Sequence, residues 1–126
     1  MRTTRTFPND LEEIGSARRF VSEVLSGVEE EAVEETCLMV SELATNCVLY
    51  TSAPFAVQVD HTQRTLRIEV SDHGVDAPVL QPMRTTKPGG RGIRIVELLA
   101  DDWGVIRAAG RPGKLVWFTL ALAEPA

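Results

Sequence analysis

Two long segments in the first half of the chain carry apolar residues at helical spacing. From Leu11 to Leu25 the apolar side chains fall on one face, Pro8-Asn9-Asp10 offers a cap ahead of them, and Gly27 ends the pattern. The segment from about Glu29 to Tyr50 is acidic in its first turns, which suits the positive end of a helix dipole. It is apolar on nearly every side, so we expect a helix that is covered on more than one side.

Shorter segments alternate apolar and polar residues with a period of two, which is typical of half-buried strands. The strands predicted in this way are, in chain order, Thr3 to Phe7, Phe55 to Asp60, Thr65 to Ser71, Trp103 to Ala108 and Leu115 to Leu122. A short stretch from Ile93 to Ala100 predicts a third helix, whereas residues 73–88 carry three prolines and no sustained period. We therefore expect a long loop there, of the kind that commonly serves a site.

The order of these elements, with hairpin joints between strands, favours an α+β fold. We predict a two-layer α/β sandwich in which helices pack on one face of a mixed, mostly antiparallel sheet. The chain has 126 residues, the usual size of one domain, and neither an internal repeat nor a linker divides it. We expect residues 1–126 to form a single domain.

Composition and charge argue against several classes of protein. Hydrophobic residues make up 44% of the chain and charged residues 25%, as in ordinary globular domains. The net charge is −5 and no dense run of Lys or Arg occurs, which argues against direct binding to nucleic acid and favours a neutral or basic protein partner. No stretch approaches the roughly 20 apolar residues of a membrane span, and the N-terminus lacks the apolar core of a signal peptide. We expect a cytoplasmic protein.

The two cysteines, Cys37 and Cys47, lie ten positions apart in one predicted helix. That spacing separates them by about 15 Å along the helix axis, which is too far for a disulfide. Neither has a second Cys or His at metal-ligand spacing, so we expect small buried side chains in a reducing compartment.

Glu42 and Asn46, in the segment SELATN, project from one face of the second predicted helix because they are four residues apart. An amide oxygen beside a carboxylate suits a hard cation that carries water and nucleotide phosphates, so Mg²⁺ is the metal we expect. The carboxylate could also accept the proton of an attacking hydroxyl, which phosphoryl transfer requires. A polar pair on a solvated helix face is the alternative for these two residues alone.

Asp72 directly follows an alternating strand and precedes His73 and Gly74. A carboxylate at the end of a strand can face a cavity, and the glycine lets a ligand approach the backbone. Such an acceptor could bind the exocyclic amine of adenine. A turn of the Asp-x-Gly type is the structural alternative.

Seventeen residues after Asp72, the chain reads Gly89-Gly90-Arg91-Gly92-Ile93. Glycines leave the backbone free to turn its amide groups inward just before a helix N-terminus, a geometry that attracts phosphate. Taken alone, this segment could also be a flexible loop that ends in a helix cap. The helical Glu and Asn, the Asp at the strand end and the glycines in this order together indicate a nucleotide site.

The same segments resemble a known family. ELATN, DHG and GGRGIRIVELLADDWGV are similar to the N, G1 and G2 boxes of the GHKL (Bergerat-fold) ATPases, most closely of the small anti-sigma factor serine kinases. By this resemblance ATP and Mg²⁺ are the cofactors, Glu42 is the general base, Asn46 is the magnesium ligand and Asp72 is the acceptor for adenine. The remaining site residues that it implies shape the pocket and form the phosphate lid: Gly74, Gly90, Arg91 and Gly92.

Two positions depart from the family pattern. Cys47-Val48-Leu49-Tyr50 follows the N-box Asn, where relatives commonly carry basic or imidazole residues. A final-strand Thr that often supports the adenine-binding Asp in the wider superfamily is replaced at Lys114 or Leu115.

The resemblance implies an ATP-binding serine/threonine protein kinase of the anti-sigma factor type. Relatives of this kind bind a sigma factor and phosphorylate an antagonist protein, which regulates transcription by partner switching, and they commonly form homodimers. The alternative is a catalytically weak or inactive Bergerat-fold regulator that only binds proteins. A sensor histidine kinase needs an acceptor histidine on a helical dimerisation segment. The catalytic fragment of such a kinase is disfavoured, because His61 lies in a predicted hairpin turn and His73 beside the nucleotide loop.

Overall fold

In the computed structural model, the described residues are 1–72, 90–107 and 113–123, with only the backbone described at 90–93. The helices within them are α1 (Glu12–Val24), α2 (Glu30–Tyr50) and α3 (Gly90–Leu99). The strands are β1 (Arg2–Phe7), β2 (Phe55–His61), β3 (Thr65–Asp72), β4 (Asp102–Ile106) and β5 (Leu115–Ala121). Every helix and strand that the hydrophobic pattern predicts is therefore present, with small shifts at the ends.

The five strands form one sheet in the order β1-β2-β3-β5-β4. All four pairings of these described strands are antiparallel. The predicted α+β fold is confirmed, but the parallel pair that a mixed sheet would contain is not found among the described strands. For one of the four pairs the reason is local: β2 and β3 are joined by a short turn, and such turns can connect only antiparallel neighbours.

One face of the sheet packs against the helices and forms the core. Along β3 the even-numbered residues are buried, whereas the odd-numbered residues are half-buried or exposed. Val57, Val70 and Val116 lie directly opposite one another on β2, β3 and β5, and all three are buried. Each such side chain stabilises the fold by roughly 1.5–3 kcal/mol. The same alternation turns Asp72, two residues after Val70, towards the helices.

Helix α2 contacts both other helices. On one flank the side chains of Ser22 in α1 and Cys37 in α2 approach to 3.5 Å, while α3 contacts α2 and β4. Helix α2 is covered on more than one side, as predicted, by the other helices and the sheet. Leu38 and Leu49 are nevertheless 45% and 58% exposed. Both leucines lie on the side of α2 that is turned away from the sheet. No helix in the described part of the chain is long and apolar enough to cross a membrane.

Asn9 fastens the segment between β1 and α1 to the end of α2. The sequence pattern assigned residues 8–10 to the cap of the first helix, and the Asp10 carboxylate does accept a hydrogen bond from the Glu12 backbone N–H at 3.1 Å. The Asn9 side-chain amide instead donates to the carbonyl oxygens of Cys47, Thr51 and Ala53, at 3.2, 3.1 and 2.9 Å. The carbonyls of Thr51 and Ala53 lie just beyond the C-terminus of α2, whereas that of Cys47 also accepts from the backbone N–H and the hydroxyl of Thr51.

Replacing Asn9 by Ala should destabilise the fold by roughly 1–3 kcal/mol, because the carbonyl groups of Thr51 and Ala53 lose a donor in a partly buried place. Chemical denaturation in urea measures this as a lower midpoint with an unchanged slope. Thr4→Ala is the matched control, because it removes an exposed side-chain hydrogen bond to Gln58 and should change the stability by less than about 0.5 kcal/mol. An effect of Asn9→Ala no larger than that of Thr4→Ala would show that the hydrogen bonds of Asn9 do not stabilise the fold.

Candidate functional site

Asp72 is a buried carboxylate without a hydrogen-bond partner among the described residues. It is the last residue of β3, is 3% exposed, and has both carboxylate oxygens out of contact with solvent. Its backbone N–H donates to the carbonyl oxygen of Lys114 at 3.1 Å, which holds the strand end in place. Burial of an unpaired carboxylate is costly, so the position is suited to a ligand that donates hydrogen bonds.

A cavity of about 20 Å³ adjoins this carboxylate between α2 and the ends of β3 and β5. Its lining residues come from the helix and from both strands or the residues that flank them: Leu43, Asn46, Cys47, Val70, Asp72, Lys114 and Val116. This space holds about one water molecule. A purine base is several times larger, so side chains in the wall must move before a base can reach Asp72.

Gly113, just before β5, allows the chain to pass close to Asp72. Its φ of +95° lies in the left-handed region, which favours glycine. A Cβ atom at this position would overlap the carbonyl oxygen of Asp72 and lie 3.3 Å from its Oδ1. Nothing in the sequence pattern indicates that Gly113 adjoins the candidate acceptor.

The structure brings Asn46 and Asp72 to the same cavity. Asn46 is half-buried and lines the wall on the side of α2. Glu42 lies one turn earlier in α2, is also half-buried, and is not among the residues that line this cavity. The predicted adenine acceptor, Asp72, and the predicted magnesium ligand, Asn46, thus line one cavity, whereas the predicted base, Glu42, lies one helical turn away.

A family model for the histidine kinase-like ATPase domain matches residues 7–120, which is most of the chain. The chain belongs to the histidine kinase-like ATPase family. The GHKL-type identification made from the ELATN, DHG and GGRGIRIVELLADDWGV segments is confirmed at this level, and with it the assignment as an ATP-binding domain. A comparison with curated proteins gave no match.

In this histidine kinase-like ATPase domain, the glycine-rich segment begins α3. The helix starts at Gly90, so Gly90, Arg91 and Gly92 form its first turn, whereas the sequence placed them just before the helix. The backbone N–H groups of a first helical turn have no intrahelical acceptor and attract anions. Gly74 and Gly89, together with the side chain of Arg91, lie outside the described residues.

A metal ion in this histidine kinase-like ATPase site would draw few ligands from the described protein residues. Within residues 1–72, 90–107 and 113–123, no group of three or more His, Cys, Asp or Glu side chains is arranged to hold a metal ion. Asn46 offers one amide oxygen at the cavity wall. Magnesium commonly keeps several water and phosphate ligands, so this donor set suits an ion that arrives with a nucleotide.

Cys47 occupies the cavity wall as a neutral thiol. The pKa of this thiol is raised from 9.0 to about 12, chiefly by burial and secondly by the negative charge of Asp72, while the positive charge of Lys114 lowers it. The folded state therefore favours the protonated form. The stabilisation that this gives is complete below pH 9.0 and is lost as the pH rises from 9.0 towards about 12.

We expect Cys47 to resist thiol reagents in the folded ATPase domain, because a pKa of about 12 leaves little thiolate at neutral pH. In the variant Cys37→Ser, Cys47 is the one remaining thiol, and its labelling by a chromogenic disulfide at pH 8 should accelerate by roughly a hundredfold or more in urea. Cys47→Ser is the matched control, since it retains the half-buried Cys37. Equal labelling rates of Cys47 in the folded and unfolded chain would contradict a buried thiol at this wall.

The sequence did not predict several residues at the Asp72 end of the sheet. Lys114 stands directly across from Asp72. Arg107 follows β4 at the same end of the sheet, with its Nε and Nη2 atoms buried and unpartnered among the described residues. Their positions depend on the pairing of β3 with β5 and of β5 with β4. The sequence offered one hint, which was the missing family Thr at position 114 or 115. In the structure Lys114 shares the helix-covered face with Asp72, whereas Leu115 lies on the other face.

Proposed function

We propose that this protein is an ATP-dependent serine/threonine protein kinase of the anti-sigma factor type, which regulates transcription by partner switching. The observation that carries the proposal is the buried Asp72 carboxylate, unpartnered among the described residues, at a strand end of a histidine kinase-like ATPase fold. A buried acceptor of this kind gains most from a ligand that donates hydrogen bonds. The exocyclic amine of adenine is such a donor.

Each candidate residue has a distinct task in this proposal. When bound, ATP and Mg²⁺ supply the phosphoryl group and the positive charge that offsets its oxygens. Asn46 on the cavity wall would hold the magnesium ion through its amide oxygen. Glu42, one turn earlier, would accept the proton of the attacking hydroxyl. The first turn of α3, from Gly90 onwards, would direct its free N–H groups towards negative charge.

The surface around Glu42 supports a protein as the acceptor of the phosphoryl group. Leu38 precedes Glu42 by four residues and Leu49 follows it by seven, so the three side chains lie on one side of α2. Both leucines are large exposed hydrophobic residues. Exposed apolar residues beside a reactive group suit contact with a protein surface more than with a small molecule.

The partners that we propose are a sigma factor and its antagonist, with serine or threonine of the antagonist as the acceptor. The proposal also includes a cytoplasmic location and a homodimer. It includes no direct contact with nucleic acid, in keeping with the net charge of −5.

Transfer of labelled phosphate tests the proposed function. The protein is incubated with γ-labelled ATP, Mg²⁺ and candidate antagonist proteins, and the products are treated with acid before analysis. Phosphoserine and phosphothreonine survive acid, whereas phosphohistidine is hydrolysed. We expect an acid-stable label on the antagonist, and an acid-labile label would instead indicate a histidine kinase.

One observation favours a second candidate, a Bergerat-fold regulator that binds proteins and has little or no kinase activity. In the divergent segment after Asn46, Cys47 is buried in the cavity wall, whereas Leu49 and Tyr50 are exposed. Apolar residues at these positions present a contact surface rather than charges for phosphate. ATP binding without transfer to any candidate antagonist, together with stable binding of that antagonist, would favour this second function.

A further inference from the structure

Lys114 and Asp72 form an opposed pair at the end of the sheet. The register of β3 with β5 pairs Ser71 with Leu115, and the next residues are joined by the hydrogen bond from the Asp72 N–H to the Lys114 carbonyl oxygen at 3.1 Å. Side chains of directly opposed residues in an antiparallel pair project from the same face of the sheet. For Asp72 that face is the one covered by the helices, so the Lys114 side chain extends to the same side.

Lys114 also lines the cavity that adjoins Asp72. It is half-buried and lines the cavity wall together with Asn46 and Cys47. Its positive charge acts on the Cys47 thiol in the direction opposite to the charge of Asp72. Asp72, whose carboxylate only accepts hydrogen bonds, and Lys114, whose ammonium only donates them, therefore both line one small cavity.

This pair matches one edge of one purine. Adenine presents its N6 amine, a donor, next to N1, an acceptor. Guanine presents O6, an acceptor, next to N1–H, a donor, so the same edge carries the reverse order. We propose that Lys114 selects adenine by donating to N1 while Asp72 accepts from the N6 amine, an inference that rests on the proposed nucleotide-binding function.

Guanine would meet two unfavourable contacts in the same place. Its O6 would face the Asp72 carboxylate, and its N1–H would face the Lys114 ammonium, so acceptor would meet acceptor and donor would meet donor. A site that leaves buried polar groups unpaired rejects the wrong ligand far more strongly than a purely apolar pocket does. Lys114 thus adds discrimination that Asp72 alone could not supply.

The size of the cavity is consistent with a movable lysine. The space of about 20 Å³ is too small for a base, and Lys114 has the longest and most flexible side chain among the described residues that line it. In the proposed complex, rotation of this side chain makes room for the base. Lys114 is accordingly a binding residue that also forms part of the wall.

An ATP analogue in which a C–H group replaces N1 tests this inference. The affinities of ATP, GTP and 1-deaza-ATP are measured by calorimetry for the wild type and for Lys114→Met, which keeps the length of the side chain and removes its donor. We expect the wild type to bind 1-deaza-ATP about tenfold to a hundredfold more weakly than ATP, the usual effect of one charge-assisted hydrogen bond. Lys114→Met should bind ATP and 1-deaza-ATP equally, and its preference for ATP over GTP should fall.

Arg107→Met provides the charge control, because it removes a cation one strand further from Asp72. Whatever its effect on the affinity for ATP, this variant should keep the wild-type ratio of the affinities for ATP and 1-deaza-ATP. The ratio is measured within one variant, so it does not depend on the fraction of folded protein.

Two results would overturn the inference. One is a wild type that binds ATP and 1-deaza-ATP equally, and the other is a Lys114→Met variant that keeps the wild-type ratio. A wild type that binds no nucleotide would instead overturn the proposed function and the inference with it. Tight, N1-dependent ATP binding without phosphoryl transfer would leave the inference standing and would overturn only the kinase activity.

Discussion

Asp72→Asn is expected to abolish measurable ATP binding, with an affinity at least about a hundredfold below that of the wild type. The substitution keeps the shape of the side chain but replaces one acceptor oxygen by a donor and removes the negative charge. Asp72 is buried and unpartnered among the described residues, so nothing nearby in them compensates for that change. Isothermal titration calorimetry with ATP and Mg²⁺ measures the effect.

The same variant should fold at least as stably as the wild type, because it removes an unpaired buried charge. Thermal unfolding therefore separates loss of the ligand contact from loss of the structure. Asp60→Asn is the matched control: it makes the same chemical change on β2, in an exposed ion pair with Arg2, and should leave ATP affinity unchanged. An Asp72→Asn variant that binds ATP within about threefold of the wild type, less than the effect of one hydrogen bond, would remove Asp72 from the site.

Glu42→Gln is expected to slow phosphoryl transfer by about 10²- to 10⁴-fold, the usual contribution of a general base. ATP affinity should change by less than about threefold, because Glu42 is not among the residues that line the cavity beside Asp72. The measurement is the initial rate of labelled phosphate transfer to the antagonist at saturating ATP.

Glu35→Gln makes the same change two turns earlier on α2, also at a half-buried position, and should keep the wild-type rate. If Glu42→Gln transferred phosphate as fast as Glu35→Gln, Glu42 would have no role as the base. If Glu42→Gln also lost ATP binding, it would belong to the binding site instead.

The fold was predictable to a large extent because its elements depend on local patterns. The alternation from Thr65 to Ser71 indicated a strand with one buried face, and the structure extends that strand by one residue to Asp72. The apolar spacing from Leu11 to Leu25 likewise indicated α1. What these patterns could not show is which sides of α2 the neighbours cover, and the structure leaves Leu38 and Leu49 exposed.

The candidate site was predictable only where its residues carry their own local signal. Asp72 stands at the end of an alternating strand, and Asn46 follows Glu42 at helical spacing, so the sequence indicated these residues. Lys114 and Gly113 adjoin Asp72 through the pairing of β3 with β5, which joins residues more than forty positions apart. A single sequence does not reveal such a pairing, because strand register depends on the packing of the whole sheet.

The most direct test of the central claim is a chemical-shift map of the isotope-labelled wild type titrated with ATP and Mg²⁺. Saturable shifts should be largest at the backbone amides of Asn46, Asp72 and Lys114, at the end of the sheet where the buried carboxylate lies. The opposite end of β3 carries a separate groove of about 760 Å³, lined in part by His61 and Leu122. Shifts confined to that groove, or no shifts at saturating ATP, would contradict a nucleotide site at Asp72.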